Sequence, residues 1–492
     1  MTEMLRWSAS EALAKLANGE VSSVELTKAV LARVEGRNAE INAYITVSGE
    51  RALAMAAASD ARRKAAKLSG KAAGALEGLP IAVKDLYCTA GIRTTAGSKI
   101  LDNFVPAYES TVSGKLWDAG AVCVGKLNMD EFAMGGSGEN SAYGVARNPW
   151  DTTRVPGGSS SGSSAAVADF QCFMATGSDT GGSIRQPASM TGIVGIKPTY
   201  GRCSRYGMVA FASSLDQAGA MARTVEDAAR MMQVIAGHDP KDSTSSPQAV
   251  PDWLGGLDGL NVKGLRIGLP KEYFIDGMDA RVRGVIMDAV KKFEAAGAVV
   301  KEIRLPSTEF ALAAYYIVAP AEAASNLARY DGMRYGLRVE GKNLLETYIK
   351  SRSAGFGDEP KRRIMVGNYV LSSGYYDAYY HKAMQVRTLL VREFAAAFEQ
   401  VDVIMTPTAP NPAFKIGEKV SDPVALYLED AFTVTVNMAG LPGISVPAGV
   451  VEDRGVKLPV GLQIIGRHWD EAGILRVGRA WEKLRGEWSP PQ

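Results

Sequence analysis

The sequence predicts an α/β fold on three observations: short apolar runs of strand length, segments of helical apolar spacing between them, and 52 glycines in 492 residues to make the turns. The chain opens helically. Ser8-x-x-Glu11 and Ser22-x-x-Glu25 are capping boxes, whose side chains satisfy amides that a helix start leaves bare. Leu26, Val30, Leu31 and Val34 then recur on one helical face. Residues 1–70 are expected to be a helical region packed on a core built from 71–492. From Leu79 the texture changes. Leu79-Pro-Ile-Ala-Val83 and Ala121-Val-Cys-Val124 read as strands, with a helix over 111–119 between them that stops at Gly120. Residues 242–260, rich in Ser, Pro, Gly and Asp, form a long loop or a soft boundary.

Beyond that loop the alternation resumes. Leu265-Arg-Ile-Gly268 is followed by a helix carrying Val282, Ile286, Ala289 and Phe293, and then by Ala298-Val-Val-Lys-Glu-Ile303. Val401-Asp-Val-Ile-Met405, Gly443-Ile-Ser-Val446 and the run from Leu458 to Ile465 are the last strands expected, and a helix around 471–484 closes the chain. No internal repeat suggests a solenoid or propeller.

Composition narrows the function. Apolar residues at 46% and charged residues at 22% are those of an ordinary globular protein. With 55 basic against 53 acidic side chains the net charge is +2, too little to draw the chain onto phosphate backbones or anionic lipid, so any nucleic acid is expected to be held by a partner. Cys88, Cys123, Cys172 and Cys203 are far apart and form no C-x-x-C, which fits a reducing cytoplasm. Neither a signal peptide nor an apolar run of about 18 residues is present, so no membrane is expected. The histidines His238, His381 and His468 have no partner at metal-site spacing; no metal is expected, and a Ser-His-Asp triad is poorly supported.

The chemistry concentrates in two glycine-serine segments, Pro156-Gly-Gly-Ser-Ser-Ser-Gly-Ser-Ser164 and Gly177-Ser-Asp-Thr-Gly-Gly-Ser-Ile-Arg-Gln-Pro187. Gly157-x4-Gly162 has the spacing of a phosphate loop, but Ser163 stands where the lysine belongs, and without that cation the loop loses its main charge contact. Gly136-x-Gly138 is a broken dinucleotide fingerprint, because Ser141 replaces its third glycine. Asp179-Thr-Gly-Gly-Ser183 reads better as an oxyanion cradle ahead of a helix, with glycines that let successive amides point into one concavity and a serine placed to attack. That serine needs a base. With histidine scarce, the candidate is Lys84, at the end of Ile81-Ala-Val83, made neutral by burial.

With these residues in view, the chain resembles the amidase signature enzymes. The likeness runs over nearly the whole chain through Leu79-Pro-Ile-Ala-Val-Lys-Asp85, the segment Lys126 to Gly135, the serine-glycine block, Gly195-Ile-Lys-Pro-Thr-Tyr-Gly-Arg202, and Phe211-Ala-Ser-Ser-Leu-Asp216. The resemblance implies an α/β/α sandwich around a large mixed sheet. It implies a triad of Lys84 as base, Ser159 as relay and Ser183 as acyl-forming nucleophile. It also implies a cis peptide at Gly158–Ser159 and an oxyanion hole at Thr180, Gly181 and Gly182. One departure is visible: Ser161 stands where the family's pattern has glycine, costing of order 1–2 kcal/mol if that position needs φ > 0.

Within the family, the branch most similar to this chain hydrolyses glutamine and supplies the ammonia to a tRNA-dependent amidotransferase. The resemblance therefore implies glutamine as substrate, gripped by Tyr315, Arg363 and Asp430, with Tyr316 and Arg362 one step away as alternatives. It implies a B subunit that holds ATP, magnesium and the mischarged Glu-tRNA(Gln) or Asp-tRNA(Asn), a small C subunit, and no cofactor in this chain. A stand-alone amidase acting on small aryl or aliphatic amides is the competing reading.

Overall fold

Eleven strands form one mixed sheet in the structure, a computed structural model that describes residues 3–275 and 277–490. The strands are β1 (Tyr44–Val47), β2 (Pro80–Lys84), β3 (Val122–Leu127), β4 (Met174–Asp179), β5 (Val194–Lys197), β6 (Gln217–Ala222), β7 (Arg266–Pro270), β8 (Val299–Ile303), β9 (Val403–Pro407), β10 (Gly443–Asp453) and β11 (Val456–Ile465). Their order across the sheet is β1-β3-β2-β4-β6-β5-β10-β11-β9-β7-β8. At one end β3, β2 and β4 run parallel, at the other β8, β7 and β9 do, and antiparallel pairs join the two groups. The helices flanking the sheet complete the expected α/β fold.

Both capping boxes start helices, α1 (Ala9–Asn18) and α2 (Ser23–Ile41), and α3 (Gly49–Ser69) follows. The N-terminal region also supplies an element that the sequence reading lacks: β1 lies antiparallel to β3 at the sheet's edge, with Tyr44 opposite Leu127. Four residues between two helices are too few to show a period of two. Helix α4 (Thr111–Asp118) ends before Gly120, whose φ of 88° sits in the left-handed region that glycine tolerates. Further on come α5 (Ser161–Ala168), α6 (Arg185–Thr191), α7 (Val225–Ile235) and α8 (Ala280–Ala295). The Ser/Pro/Gly-rich loop over 242–260 lies between α7 and β7, and the strands on its two sides belong to the same sheet.

Between β8 and β9, where the sequence reading assigns no element, the chain is helical: α9 (Thr308–Asn326), α10 (Leu344–Gly355), α11 (Asp358–Leu371) and α12 (Lys382–Gln400). Two short helices, α13 (Pro423–Tyr427) and α14 (Val434–Met438), precede β10, and α15 (Glu471–Arg485) closes the chain. A connected apolar core runs from Leu5 to Trp481. The central strands are buried on both faces, so β2 reads as a continuous apolar run rather than an alternating one. Strands β4 and β6, Met-Ala-Thr-Gly-Ser-Asp and Gln-Ala-Gly-Ala-Met-Ala, carry small side chains because neighbouring backbone lies close. A Cβ on Gly219 would meet the Ile196 carbonyl oxygen at 2.1 Å. No helix among the described residues is long and apolar enough to cross a membrane.

Candidate active site

Parallel neighbours end at the same edge of a sheet, and β2 and β4 are parallel neighbours, with Ala82 opposite Ala175. Lys84 at the end of β2 therefore meets Ser178 and Asp179 at the end of β4, and its amide donates to Thr176 Oγ1 at 3.0 Å. The Lys84 side chain is fully buried, and burial lowers its pKa to about 7, with Asp130, Asp179 and Asp216 acting in the opposite direction. Its Nζ lies 2.8 Å from Ser159 Oγ, 2.9 Å from Ser160 Oγ and 2.9 Å from Ser178 Oγ. A neutral amine has two N–H donors and one lone pair. Ser160 Oγ points its own proton at the Ser178 carbonyl, 3.3 Å away, so it can only accept from Lys84. Donation to Ser160 and Ser178 would leave the lone pair for the Ser159 hydroxyl.

The Gly158–Ser159 peptide is cis, as the resemblance implies. Only glycine fits before the serine, since a Cβ on Gly158 would fall 2.1 Å from Asp130 Oδ2. Gln186 clamps this loop, accepting from the Gly158 amide at 3.0 Å and donating to the Gly136 carbonyl at 2.8 Å. Asp130 takes the Gly138 and Asn140 amides at 3.0 and 3.1 Å, and burial pushes its carboxyl up to about 7. Ser161 is the first residue of α5 and is not among the residues with positive φ, so the departure from the family's glycine carries no left-handed strain. The space its side chain needs is left by Gly138, where a Cβ would meet Ser161 Cβ at 2.6 Å.

Ser183 lies in the turn between β4 and α6 and is 8% exposed. No hydrogen bond joins its hydroxyl to Ser159. The two segments are held together by the Ser160 amide, which donates to the Ser183 carbonyl at 3.2 Å. Catalytic hydrogen bonds are commonly long before substrate binds and tighten around it. Before Ser183, the amides of Thr180, Gly181 and Gly182 donate to no protein group among the described residues. Both glycines are required sterically. A Cβ on Gly181 would meet the Tyr315 ring at 2.5 Å, and one on Gly182, at φ 143°, would meet Thr433 Oγ1 at 2.2 Å.

Asp179 rigidifies this turn. Burial alone would raise its carboxyl, yet Arg185 and Lys197 beside it hold it at about 2. Arg185 donates to it through Nε and Nη2, both at 2.9 Å, and the Ile184 amide adds a bond at 3.2 Å. Thr180 is fixed separately, its hydroxyl donating to Asp216 at 2.7 Å.

The three residues proposed for substrate converge beside this turn. Arg363 is buried on α11, with its guanidinium carbon 4.7 Å from the Tyr316 ring centre and 4.8 Å from that of Tyr427. Arg362, the alternative, points outward with a side chain 45% exposed. Both tyrosines are present: Tyr315 packs on Gly181, while Tyr316 donates to Asp430 Oδ2 at 2.9 Å. Asp430 is half-buried, and desolvation pushes its carboxyl up to about 7 against the pull of Tyr316 and Arg363. Thr433 ties the subsite to the nucleophile turn by donating its hydroxyl to the Gly181 carbonyl at 2.6 Å and its amide to the Asp430 carbonyl at 3.0 Å.

Ser160, Ser178, Gln186 and Tyr427 are site residues that the sequence reading does not single out. Serine and glutamine in a buried loop carry no periodic signal, and only the fold shows which of them point at the amine. Among the described residues no group of three or more His, Cys, Asp or Glu side chains is placed to hold a metal ion, and all four cysteines are free and buried.

Comparison with known proteins gives concordant matches. The Amidase family model matches residues 25–475. The A subunit of the glutamyl-tRNA(Gln) amidotransferase of Parvibaculum lavamentivorans is 56% identical over 488 residues, covering 98% of this chain and 97% of that protein. The crystal structure of the corresponding A subunit of the glutamyl-tRNA(Gln) amidotransferase from Thermotoga maritima superposes with a TM-score of 0.80 at 40% identity, covering 98% of this chain and 96% of that one. The peptide amidase of Stenotrophomonas maltophilia superposes with a TM-score of 0.83 at 30% identity, covering 99% and 98%.

Proposed function

The chain belongs to the amidase family, and on that footing we propose that it is the glutamine-hydrolysing subunit of a tRNA-dependent amidotransferase. The observation that carries the reading is the placement of a buried arginine and a carboxylate, Arg363 and Asp430, beside the Ser183 turn. A guanidinium fork suits an α-carboxylate and an aspartate suits an α-ammonium, so the pair fits a free amino acid.

In the proposed reaction neutral Lys84 takes the Ser159 proton while Ser159 takes that of Ser183, and Ser183 Oγ attacks the side-chain amide carbon of glutamine. Negative charge on the carbonyl oxygen is met by the amides of Thr180, Gly181 and Gly182, a contribution of about 3–4 kcal/mol for each such donor in comparable sites. The carbon–nitrogen bond then breaks as the departing nitrogen receives the proton held by Lys84, returned through Ser159. Ammonia leaves, and a glutamyl ester remains on Ser183. Water, deprotonated along the same path, cleaves the ester to glutamate. Working in the cytoplasm, the chain would pass its ammonia to a B subunit that holds ATP, magnesium and mischarged Glu-tRNA(Gln), and Asp-tRNA(Asn) where that is also served; a small C subunit would join the two. The amidotransferase named by the relatives supports this assembly.

The competing reading, a stand-alone amidase, is supported by the likeness to peptide amidase. A substrate panel separates them: glutamine and plain primary amides, assayed on the chain alone and on the complex co-purified with its partners. Preference for glutamine by at least about 100-fold in kcat/KM is expected, and preference for plain amides would overturn the proposal.

The pH profile should carry two signatures. Lys84 must be neutral to act, so kcat should fall about tenfold per unit as pH drops below about 7. Asp430 must be ionised to receive an ammonium, and its carboxyl also sits at about 7, so kcat/KM should fall about 100-fold per unit. Asp130 titrates in the same range close to Lys84, so the limb reports the cluster rather than one group. A kcat that stays flat from about pH 5.5 to 8 would remove Lys84 as the base.

A further inference from the structure

Arg363 does not hold itself in place. Its Nε donates to Glu359 Oε1 at 2.6 Å, while its Nη1 is buried without a hydrogen-bond partner among the described residues. Glu359 stands one helical turn earlier on α11, the spacing that brings two side chains together on a helix face. Unlike an ordinary surface pair, both side chains are nearly inaccessible, at 6% for Glu359 and 4% for Arg363. The same Oε1 accepts the Tyr427 hydroxyl at 2.8 Å, and Oε2 takes Arg362. Tyr427 in turn stacks on Tyr316, ring centres 4.0 Å apart, and Tyr316 bonds Asp430. Glu359 thus anchors one edge of the guanidinium and the aromatic wall that leads to Asp430.

We propose that Glu359 is a positioning residue that turns Arg363 toward the substrate's α-carboxylate and so sets the preference for a free amino acid over a plain amide. The inference rests on the glutamine reading above and extends it to a residue that touches no substrate atom. The argument is one of satisfaction. A buried guanidinium nitrogen without a partner is costly, and an incoming carboxylate is the group that would supply one. That geometry persists only while Nε is tethered on the opposite side. Burial would raise the Glu359 carboxyl, but Arg363, the Tyr427 hydroxyl and Arg362 keep it below its usual range, so the tether stays ionised.

The test is Glu359→Gln, which keeps the shape and removes the charge. KM for glutamine should rise about 10- to 30-fold, with most of the loss in KM rather than in kcat. The rate at which phenylmethanesulfonyl fluoride, which has no α-carboxylate, labels Ser183 should match that of the parent protein. An unchanged KM, or a labelling rate that falls as far as kcat/KM for glutamine, would overturn the proposal. If Glu359→Gln does not fold, Tyr427→Phe decides, since it deletes only the hydroxyl that anchors Oε1. A rise of about threefold in KM is expected, and no rise rejects the role. A parent protein without glutaminase activity would instead sink the functional reading itself.

Discussion

Ser183→Ala is expected to lower kcat for glutamine hydrolysis by about 10⁴-fold or more while leaving the fold intact. The loss is large because the acyl-enzyme route has no substitute nucleophile at that point, and the amides of the preceding turn can stabilise an oxyanion only where attack occurs. The structural cost is small, since the substitution removes one nearly buried hydroxyl that makes no hydrogen bond among the described residues, and stability should stay within about 0.5 kcal/mol. Steady-state kinetics with a thermal melt on the same preparation would check both halves. Mass spectrometry of a rapidly quenched reaction should show a glutamyl adduct on Ser183 in the parent protein and none in the variant. An adduct on Ser159 instead would reverse the roles of the two serines.

Lys84→Met should abolish activity nearly as completely, by about 10³- to 10⁴-fold, and raise stability near neutral pH. The sign follows from linkage. The folded protein holds this amine at about 7 and the unfolded chain at about 10.5. Between those values the unfolded state binds the extra proton, so stability rises with pH across the window. Below about 7 the folded state bears the full burden of a buried charge, on the order of 5 kcal/mol. Methionine removes that burden and forfeits hydrogen bonds to three serine hydroxyls, worth about 1 kcal/mol each. The balance is a gain of about 2 kcal/mol, read as a melting temperature a few degrees higher at about pH 6.5. A large loss of stability would mean that the amine is charged and paired in the native state. A stable, inactive variant would place the buried amine among the features that function retains at a cost in stability.

The legibility of this chain in its sequence is uneven for identifiable reasons. Capping boxes at Ser8 and Ser22 are readable because the signal is local, two side chains three residues apart acting on their own backbone. Strand β2 is readable as an apolar run, and its terminal Lys84 draws attention because a cation there invites an explanation. Strands β4 and β6 are opaque. Built largely from alanine, glycine and other small residues, they are specified by how closely their neighbours approach, which no single segment encodes. The residues proposed for substrate lie between these cases. Arg363 and Asp430 can be proposed by resemblance, but preferring Arg363 to Arg362, and seeing that Tyr315 and Tyr316 both lie beside the Ser183 turn, requires burial and direction.

The sequence by itself determined the α/β class, the helical start, the absence of metal-site spacing, and the residue types that amide chemistry without histidine would need. Tertiary structure decided the rest. Proximity between positions 84, 159 and 183 exists only because β2 and β4 lie side by side and parallel, so that their ends and the loops between them share one edge. The shift that frees the lysine's lone pair has the same origin, for desolvation belongs to everything packed around an atom and to no residue that could be read alone.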